Sequence, residues 1–277
     1  MKKDVIVAIG AGGIGEAIAR RQGFGRTVLL ADWNEETLAK AATSMRGASY
    51  AVETQKVDVT SRESVRSLAE AAAALGPVRQ VVNTAGLSPN MAPVEKILEV
   101  DLYGSAVVFE EFGKVIASGG AGLIISSMAG HMMRPLPEED EKQLAHVPAD
   151  DLLALPCLQA EAIPNTLVAY MVAKRANFLR VQAEAMRWGE RGARVNAISP
   201  GVIMTPLGQH ELNSEIGHIF RAMIDACPSK RMAPPEEIAV VASFLLGPDA
   251  SFITGSDLLI DGGVIAAMRA GKLPTPG

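Results

Sequence analysis

The chain has 277 residues, a formal net charge of −5 and 48% hydrophobic residues, which is enough to bury a large core. The mild acidity argues against nucleic acid as a partner, because the chain offers no basic stripe that would neutralise phosphates. No apolar run reaches the ~18 residues of a membrane span, and no secretory signal is evident, so we expect a cytoplasmic protein. Neither the two cysteines, Cys157 and Cys227, nor the scattered histidines suggest a disulfide framework or a metal site.

Short apolar runs alternate with helical patterns along most of the chain. The predicted strands are Val5–Ile9, Thr27–Ala31, a weaker one near Gln55–Val57, Val78–Val82, Gly122–Ser126, Ala193–Ile198 and Leu258–Ile260. The predicted helices are Ile14–Arg21, Glu35–Met45, Ser61–Ala74, Val94–Ile116, Leu167–Trp188 and Pro235–Leu246. Because the strands have no polar face, they favour a parallel sheet with helices on both sides, that is, a doubly wound α/β fold.

Two segments interrupt this alternation. Residues 132–166, rich in acids and prolines, separate the fifth strand from the helix that starts at Leu167. A connection of this length is usually functional, and we expect it to wall a substrate pocket or, alternatively, to be a surface excursion. Residues 204–234 predict short helices over a ligand site. Their apolar side chains are Leu207, Ile216, Ile219, Phe220 and Met223, and Met128, Met132, Met133 and Met204 line the pocket or fill the core.

A glycine-rich segment, Gly10-Ala11-Gly12-Gly13-Ile14-Gly15, follows the first strand and opens the first helix. Such a turn lets the backbone approach a pyrophosphate, and the helix N-terminus offers free amides to the phosphates. Asp32 ends the second strand, where a carboxylate accepts hydrogen bonds from ribose hydroxyls, unless it caps the helix that begins near Asn34. The carboxylate would repel a 2′-phosphate, and Trp33 stands where a compensating basic residue is needed. NAD is therefore favoured over NADP.

Further candidate cofactor contacts follow later strands, on the carboxyl edge where such sheets bind ligands. Asp58, with Val59 after it, would meet the adenine amino group or serve as an acid at a helix N-terminus. Asn83-Thr84-Ala85-Gly86 follows the fourth strand. Ser199-Pro200-Gly201 and the following Val202-Ile203-Met204-Thr205 would form the far wall of a nicotinamide pocket.

Tyr170 and Lys174 stand one helical turn apart on one face of the predicted helix. A tyrosine with a pKa of about 10 is a poor base at neutral pH. A nearby ammonium lowers that pKa, so that the phenol exchanges a proton with an alcohol or ketone. Ser126 and Ser127 end the fifth strand, where a hydroxyl can hold the substrate oxygen.

At this point the chain resembles the short-chain dehydrogenase/reductase family, over nearly its whole length. The matching landmarks, in the family's order, are Gly10–Gly15, Asp58, Asn83–Gly86, Ser127, Tyr170 with Lys174, Pro200-Gly201 and Asp261-Gly262-Gly263. The resemblance implies a single Rossmann-type domain with a seven-stranded parallel sheet, assembled as a homodimer or homotetramer. It also implies hydride transfer at a nicotinamide. Tyr170 would be the acid/base, Lys174 would bind the nicotinamide ribose and lower the tyrosine pKa, and Ser127 would orient the substrate oxygen.

Three positions depart from the family pattern. The glycine segment is one residue shorter, with Ile9 where threonine is common. Asp101 replaces an asparagine that helps to hold a water of the proton relay. An ionised carboxylate cannot donate, so the relay would be rearranged or run through the backbone carbonyl, and the charge would compete with Tyr170 for Lys174. Ser127 and Tyr170 are 43 residues apart, and we expect the surplus to alter or block subunit packing along the neighbouring helix.

The sequence therefore predicts an NAD-dependent oxidoreductase for a small-molecule secondary alcohol or ketone. Its catalytic group would be Ser127, Tyr170 and Lys174, with Asp101 beside them. The apolar segment 204–234 favours a hydrophobic or cyclic substrate of the hydroxysteroid kind. Two other classes stay open: an epimerase or dehydratase that uses NAD without net oxidation, and an NAD-binding regulator with vestigial catalytic residues.

Overall fold

The computed structural model describes residues 2–274, which form one seven-stranded sheet in the order β3-β2-β1-β4-β5-β6-β7. All neighbouring strands are parallel. They are β1 (Val5–Ile9), β2 (Thr27–Asp32), β3 (Ala51–Lys56), β4 (Val78–Asn83), β5 (Ile116–Ile125), β6 (Arg194–Pro200) and β7 (Asp257–Ile260). The strand order reverses between β1 and β4, and the carboxyl ends of the strands at such a switch point open a crevice for a ligand.

Twelve α-helices connect and flank the strands in the part of the chain from 2 to 274. They are α1 (Gly13–Gln22), α2 (Glu35–Gly47), α3 (Arg62–Leu75), α4 (Val94–Ile97), α5 (Ser105–Gly113), α6 (Glu138–His146), α7 (Ala149–Leu152), α8 (Thr166–Glu190), α9 (Pro206–Leu212), α10 (Gly217–Ala226), α11 (Pro235–Leu246) and α12 (Val264–Arg269). None of these helices has the length and apolar character that crossing a bilayer needs.

The core lies in two layers, one on each face of the sheet. Alternate residues of β1 serve the two layers, with Val5, Val7 and Ile9 on one side and Ile6 and Ala8 on the other. Helices α3, α5 and α8 cover the first face, and α1, α2 and α11 cover the second. This confirms the predicted doubly wound sheet.

Several element boundaries differ from the sequence prediction, and among the strands the largest shift is in β5, which begins at Ile116 rather than at the predicted Gly122. The predicted helix Val94–Ile116 is divided into α4, a π-helical segment Leu98–Gly104 and α5, and it ends before β5 begins at Ile116. The weak strand that was predicted near Gln55–Val57 is Ala51–Lys56 in the structure, so it starts earlier and is longer than predicted. β3 is mostly exposed, so its apolar signal is poor although all six of its residues pair with β2.

The segment 132–166 packs on the outer side of the helices that flank β5. Helix α6 lies against α8, and α7 lies against α5. The guanidinium of Arg180, which is 1% exposed, donates to the carbonyls of Leu144 and Val147 at 3.0 and 2.9 Å. The Ala149 amide donates to Glu110 at 2.9 Å. Most of this segment is therefore anchored to the helix layer, and its first residues, Met132 and Met133, pack in an apolar cluster beside Tyr170.

Candidate active site

The glycine turn after β1 is fixed by a close backbone approach. Gly10 has φ +92°, and a Cβ on Gly15 would lie 1.8 Å from the Gly10 carbonyl oxygen. The turn therefore has no space for a side chain at Gly15. Gly13 and Ile14 begin α1, so their amides have no carbonyl one turn earlier within the helix and are free for an anion. This arrangement fits a pyrophosphate even though the segment is shorter than the family's usual one.

Asp32 closes the turn from the end of β2. Its Oδ2 accepts the Ala11 amide at 2.7 Å, and its Oδ1 accepts the Asn34 amide at 2.8 Å. Asn34 itself caps α2 by accepting from Glu36 and Thr37, so the alternative that Asp32 is the helix cap is wrong. The carboxylate is half-buried beside the glycine turn, the place that the ribose role requires.

A basic residue near Asp32 escaped the sequence prediction. Lys56 is paired with Asp32 in the register of β2 and β3, and its Nζ lies 5.0 Å from the Trp33 ring centroid and 3.2 Å from Glu35 Oε2. The residue that follows Asp32 in the sequence is Trp33, which carries no charge. A neighbouring strand supplies the cation instead, and an acid already pairs with it.

The loops after β3 and β4 meet the same edge of the sheet. Asp58 Oδ1 accepts from the amide and hydroxyl of Thr60, at 2.9 and 2.7 Å, while Ser61 caps α3, so Asp58 is not the cap of that helix. Val59 is buried. Asn83 Oδ1 accepts the Ala85 amide at 3.1 Å, which fixes the turn that leads to Gly86.

The far wall begins at the end of β6. Pro200 ends the strand, Gly201 donates its amide to Ile260 on β7 at 2.9 Å, and Ile203 is buried. Thr205 caps α9 by accepting the Gly208 amide at 3.0 Å, and its methyl group packs on Gly13. The segment 204–234 therefore starts directly against the nucleotide turn, with α9 and α10 in the positions where short helices were expected.

Ser127 and Tyr170 come together because the turn after β5 is tied to α8. Ser127 Oγ accepts the Ala129 amide at 3.1 Å and starts a 3-10 turn, Met128–His131. The neighbouring Ser126 hydroxyl donates to the Lys174 carbonyl at 2.7 Å. The predicted catalytic serine and tyrosine are thereby held on one side of the crevice.

Lys174 forms a buried ion pair with Asp101. Its Nζ lies 2.8 Å from Asp101 Oδ1 and 5.3 Å from the centroid of the Tyr170 ring. Asp101 is 0% exposed and also accepts the Leu87 amide at 3.1 Å. A Cβ on Gly86 would lie 2.6 Å from that carboxylate, so the pair needs glycine there. The expected competition between Asp101 and Tyr170 for the ammonium is present.

The backbone of Asp101 is already engaged. The residue lies in the π-helical segment, and its carbonyl accepts from the Ser105 hydroxyl at 2.9 Å and from Asn177 Nδ2 at 3.0 Å. The sequence predicted two routes for the proton relay. The route through the Asp101 carbonyl is disfavoured, because two donors already occupy the lone pairs of this oxygen. A rearranged relay through side chains is favoured.

The electrostatics of Tyr170 are a balance of opposing effects. Burial raises the pKa of its phenol, the Lys174 charge lowers this pKa, Asp101 raises it, and interaction with Ser127 lowers it. The net direction is upward, because burial is the largest of these effects and Asp101 adds to it. Burial by itself lowers the pKa of Lys174, because it disfavours the charged ammonium. The Asp101 carboxylate nevertheless holds this pKa above its usual value. For Asp101, burial raises the pKa despite Lys174.

Two polar residues at this site were missed from the sequence. Glu211 lies on α9, and burial raises the pKa of its carboxyl to about 7, while Ser88 lowers it. Its charge also raises the pKa of Tyr170. Ser88, in the loop after β4, is 1% exposed. No local motif marks either residue, because only the fold brings Glu211 near Ser88 and near Tyr170.

Apolar residues surround the remaining sides of Tyr170. Met128, Met132, Met171 and Met268 belong to one buried cluster, and Met133 and Met223 pack at its edge with Tyr170. Met204 is 51% exposed and lies outside the cluster, and Leu207 and Ile219 remain 38% and 40% exposed. Within residues 2–274, no group of His, Cys, Asp or Glu side chains is arranged to hold a metal ion.

Comparison with known proteins identifies the family. The chain is 43% identical, over 96% of its length and 97% of the relative, to "Short-chain dehydrogenase/reductase bsc3" of Alternaria brassicicola. This chain belongs to the short-chain dehydrogenase/reductase family. The family model "short chain dehydrogenase" matches residues 3–137, and the model "Enoyl-(Acyl carrier protein) reductase" matches residues 151–265.

A further curated relative and a solved structure match the chain over most of its length. The chain is 31% identical to galactitol 2-dehydrogenase (L-tagatose-forming) of Cereibacter sphaeroides over 92% of each protein. A crystal structure of a variant actinorhodin polyketide ketoreductase with NADPH superposes with a TM-score of 0.73, at 24% identity, over 95% of this chain and 97% of that one. The protein is thus an oxidoreductase of this family, with a nicotinamide cofactor and a small-molecule substrate.

Proposed function

We propose that the protein is an NAD-dependent dehydrogenase or reductase that interconverts a secondary alcohol and a ketone. The observation that supports this most directly is the convergence of Ser127, Tyr170 and Lys174 on one side of the crevice at the switch point of the sheet. A regulator would not need to keep these three groups together. An epimerase or dehydratase would need them, but without net change in the cofactor.

The chain's own residues hold the substrate oxygen and move its proton. The Ser127 hydroxyl donates a hydrogen bond to that oxygen, and Tyr170 takes the alcohol proton during oxidation or supplies it to the ketone during reduction. When bound, nicotinamide accepts or supplies the hydride. Lys174 favours the phenolate by its charge, and Asp101 limits this effect because it pairs with the same ammonium at 2.8 Å.

NAD is the cofactor that the site favours. Asp32 offers acceptors to ribose hydroxyls and repels a 2′-phosphate, and Lys56, the nearby cation, is already paired with Glu35. The NADPH in the ketoreductase structure shows that the fold itself does not decide between the two. We propose as cofactor contacts Gly10, Gly12, Gly13, Ile14, Gly15, Asp32, Trp33, Asp58, Val59, Asn83, Ala85, Gly86, Tyr170, Lys174, Pro200, Gly201, Ile203 and Thr205.

The proposed substrate is hydrophobic or cyclic, of the hydroxysteroid kind. The methionine-rich cluster beside Tyr170 and the exposed Leu207 and Ile219 of the segment 204–234 provide apolar surface for it. Methionine side chains adapt to irregular shapes, which suits a bulky ring system. The galactitol dehydrogenase shows that relatives also accept polyols, so polar groups on the substrate are compatible with this fold.

We propose a homodimer or homotetramer whose contacts avoid the outer face of α5 and α8. The segment 132–166 already packs on that face through α6, α7 and the buried Arg180. A second subunit would therefore have to displace interactions that the chain makes with itself.

The test is NADH formation followed by absorbance, with NAD and separately NADP, against a panel of cyclic secondary alcohols and sterols. We expect activity with NAD and a loss of at least about a thousandfold in kcat for Tyr170→Phe, because the acid/base is removed. Tyr103→Phe is the matched control, since its hydroxyl contacts Asp150 on the exposed side of the segment 132–166. Tightly bound cofactor with turnover but no net NADH would instead support an epimerase or dehydratase, and NAD binding without turnover would support a regulator.

A further inference from the structure

The turn that begins at Ser127 and ends at His131 (the serine turn) is seated on the helix that carries the catalytic tyrosine. A Cβ on Gly130 would lie 2.8 Å from the amide nitrogen of Arg175, so the backbone of the turn touches the backbone of α8. At the end of the turn, the His131 ring stacks on Phe178 of α8, with the ring centroids 4.9 Å apart. The serine turn therefore packs on α8 both at Gly130 and at its last residue.

His131 also reaches the edge strand of the sheet. Its Nε2 lies 2.7 Å from Oδ2 of Asp257, the first residue of β7, and it is the donor because a carboxylate only accepts. The carboxylate is itself fixed by Ser199 of β6, which is 0% exposed and whose hydroxyl lies 2.8 and 3.0 Å from the two carboxylate oxygens. The side chains of His131 and Asp257 are only 21% and 10% exposed, so water competes little for their hydrogen bond.

This anchor lies where the serine turn meets the long segment 132–166. His131 is the last residue before that segment, and Ser127 is only four residues earlier. The segment is held to α8 further along, where Glu141 accepts from Arg175 Nε at 2.7 Å. A movement of the segment would pass directly into the serine turn if the chain were not fixed at this junction. The hydrogen bond to β7 fixes it there.

We propose that His131, held by Asp257, is a positioning residue that keeps the Ser127 hydroxyl beside Tyr170 and in reach of the substrate oxygen. This inference rests on the proposed function, in which Ser127 orients that oxygen. A reacting group that is displaced by about 1 Å loses much of its effect, and the residues that support it therefore matter nearly as much as the group itself. His131 acts through the serine turn, so its loss should lower kcat and leave the binding of NAD unchanged.

The first experiment measures kcat and KM in variants of the anchor, by NADH formation from the cyclic secondary alcohols of the panel above. His131→Phe keeps a ring that can stack on Phe178 but loses the donor, and we expect kcat to fall about ten- to hundredfold with an unchanged KM for NAD. Asp257→Leu removes the acceptor and should give a similar fall. His131→Gln retains a donor and should keep most of the wild-type kcat. His146→Phe, at the exposed end of α6, is the matched control and should keep all of it.

The second experiment observes the position of the serine turn without turnover. The chain has three tyrosines, so the protein labelled with 3-fluorotyrosine gives a simple ¹⁹F NMR spectrum, in which the Tyr170 resonance is the one that Tyr170→Phe lacks. Ser127→Ala should displace this resonance, because the Ser127 hydroxyl interacts with the phenol. We expect His131→Phe to displace it in the same direction, and His131→Gln to leave it near its wild-type position.

The outcomes separate this inference from the proposed function. A wild-type kcat in His131→Phe would overturn the inference, and so would an equal fall in His131→Phe and His131→Gln, since the hydrogen bond would then not be what positions the turn. Urea denaturation shows which variants are folded, and Asp257→Leu tests the same bond if His131→Phe is not. A displaced Tyr170 resonance in His131→Phe, with no NADH formation by the wild type, would overturn the oxidoreductase proposal and uphold the anchor. NADH formation by the wild type, with the resonance and kcat of His131→Phe unchanged, would do the reverse.

Discussion

The two halves of the sheet build their parts of the site in different ways. In the β1–β2 half, the glycine turn, the start of α1 and Asp32 belong to a single strand–helix–strand unit, and short backbone contacts fix them. In the β4–β7 half, the groups that act on Tyr170 come from separate segments: Asp101 in the π-helical segment, Ser127 after β5 and Glu211 on α9.

This difference determines what controls each half. The nucleotide half depends on sterics, because its turn leaves no space for a side chain at Gly15. The chemical half depends on the balance of buried charges, since Lys174, Asp101 and Glu211 act on one phenol in opposing directions. Substitutions in the first half should therefore reduce stability and cofactor binding. Substitutions in the second half should change the pH dependence of the reaction and its specificity.

The largest effect is expected at the glycine turn. Gly15→Ala would place a Cβ 1.8 Å from the Gly10 carbonyl oxygen, so the free energy of unfolding should fall by at least about 3 kcal/mol, and NAD binding should be lost. Gly47→Ala, at the end of α2, is the control, because its Cβ would meet nothing within 4 Å, and it should cost less than about 1 kcal/mol and leave NAD binding intact. Urea denaturation with and without NAD measures both. Equal losses would show that steric fit is not what distinguishes this turn.

The next effect concerns cofactor choice. Asp32→Asn removes the charge that opposes a 2′-phosphate and leaves Lys56 beside the site, so the ratio of kcat/KM for NAD to that for NADP should fall by roughly a hundredfold. Glu36→Gln, on the exposed first turn of α2, should leave the ratio unchanged. If the Asp32 variant keeps its preference for NAD, the specificity lies in contacts other than this carboxylate.

A smaller effect is expected from the buried ion pair. Oxidation needs the Tyr170 phenolate, whose pKa is raised, so its rate should rise with pH up to that pKa. Asp101→Asn removes one cause of the raised pKa, and the rising limb of the kcat/KM profile should move to lower pH by about one unit. Asp150→Asn, on the exposed side of α7, provides the control. An unmoved limb would mean that Asp101 does not act on Tyr170.

The smallest effect is expected on the outer surface of α8. Met186 is 75% exposed, and Met186→Glu would break a subunit contact that used this face. Because the segment 132–166 already occupies the adjoining surface, we expect light scattering to give the same mass for the variant and the wild type. A drop in mass would show that subunits pack along α8 after all.

Much of this protein could be predicted from local pattern. Periodicity predicts the strands, and geometry within a few residues predicts the glycine turn, the place of Asp32 and the Tyr170–Lys174 spacing. The sequence alone therefore determined the doubly wound sheet and distinguished its nucleotide half from its chemical half. The Asp101 departure was also visible, because a carboxylate replaces an amide at a recognisable position.

Tertiary structure decided what these residues do to one another. The Lys56 cation beside Asp32, the π-helical segment, the packing of 132–166 on α8 and the approach of Glu211 to Ser88 all join residues that are far apart in sequence. Burial strengthens the charge interactions around Tyr170, and burial is a property of the packed chain rather than of any local segment. The sequence therefore determined which groups are present, and the fold decided the balance of charge around Tyr170.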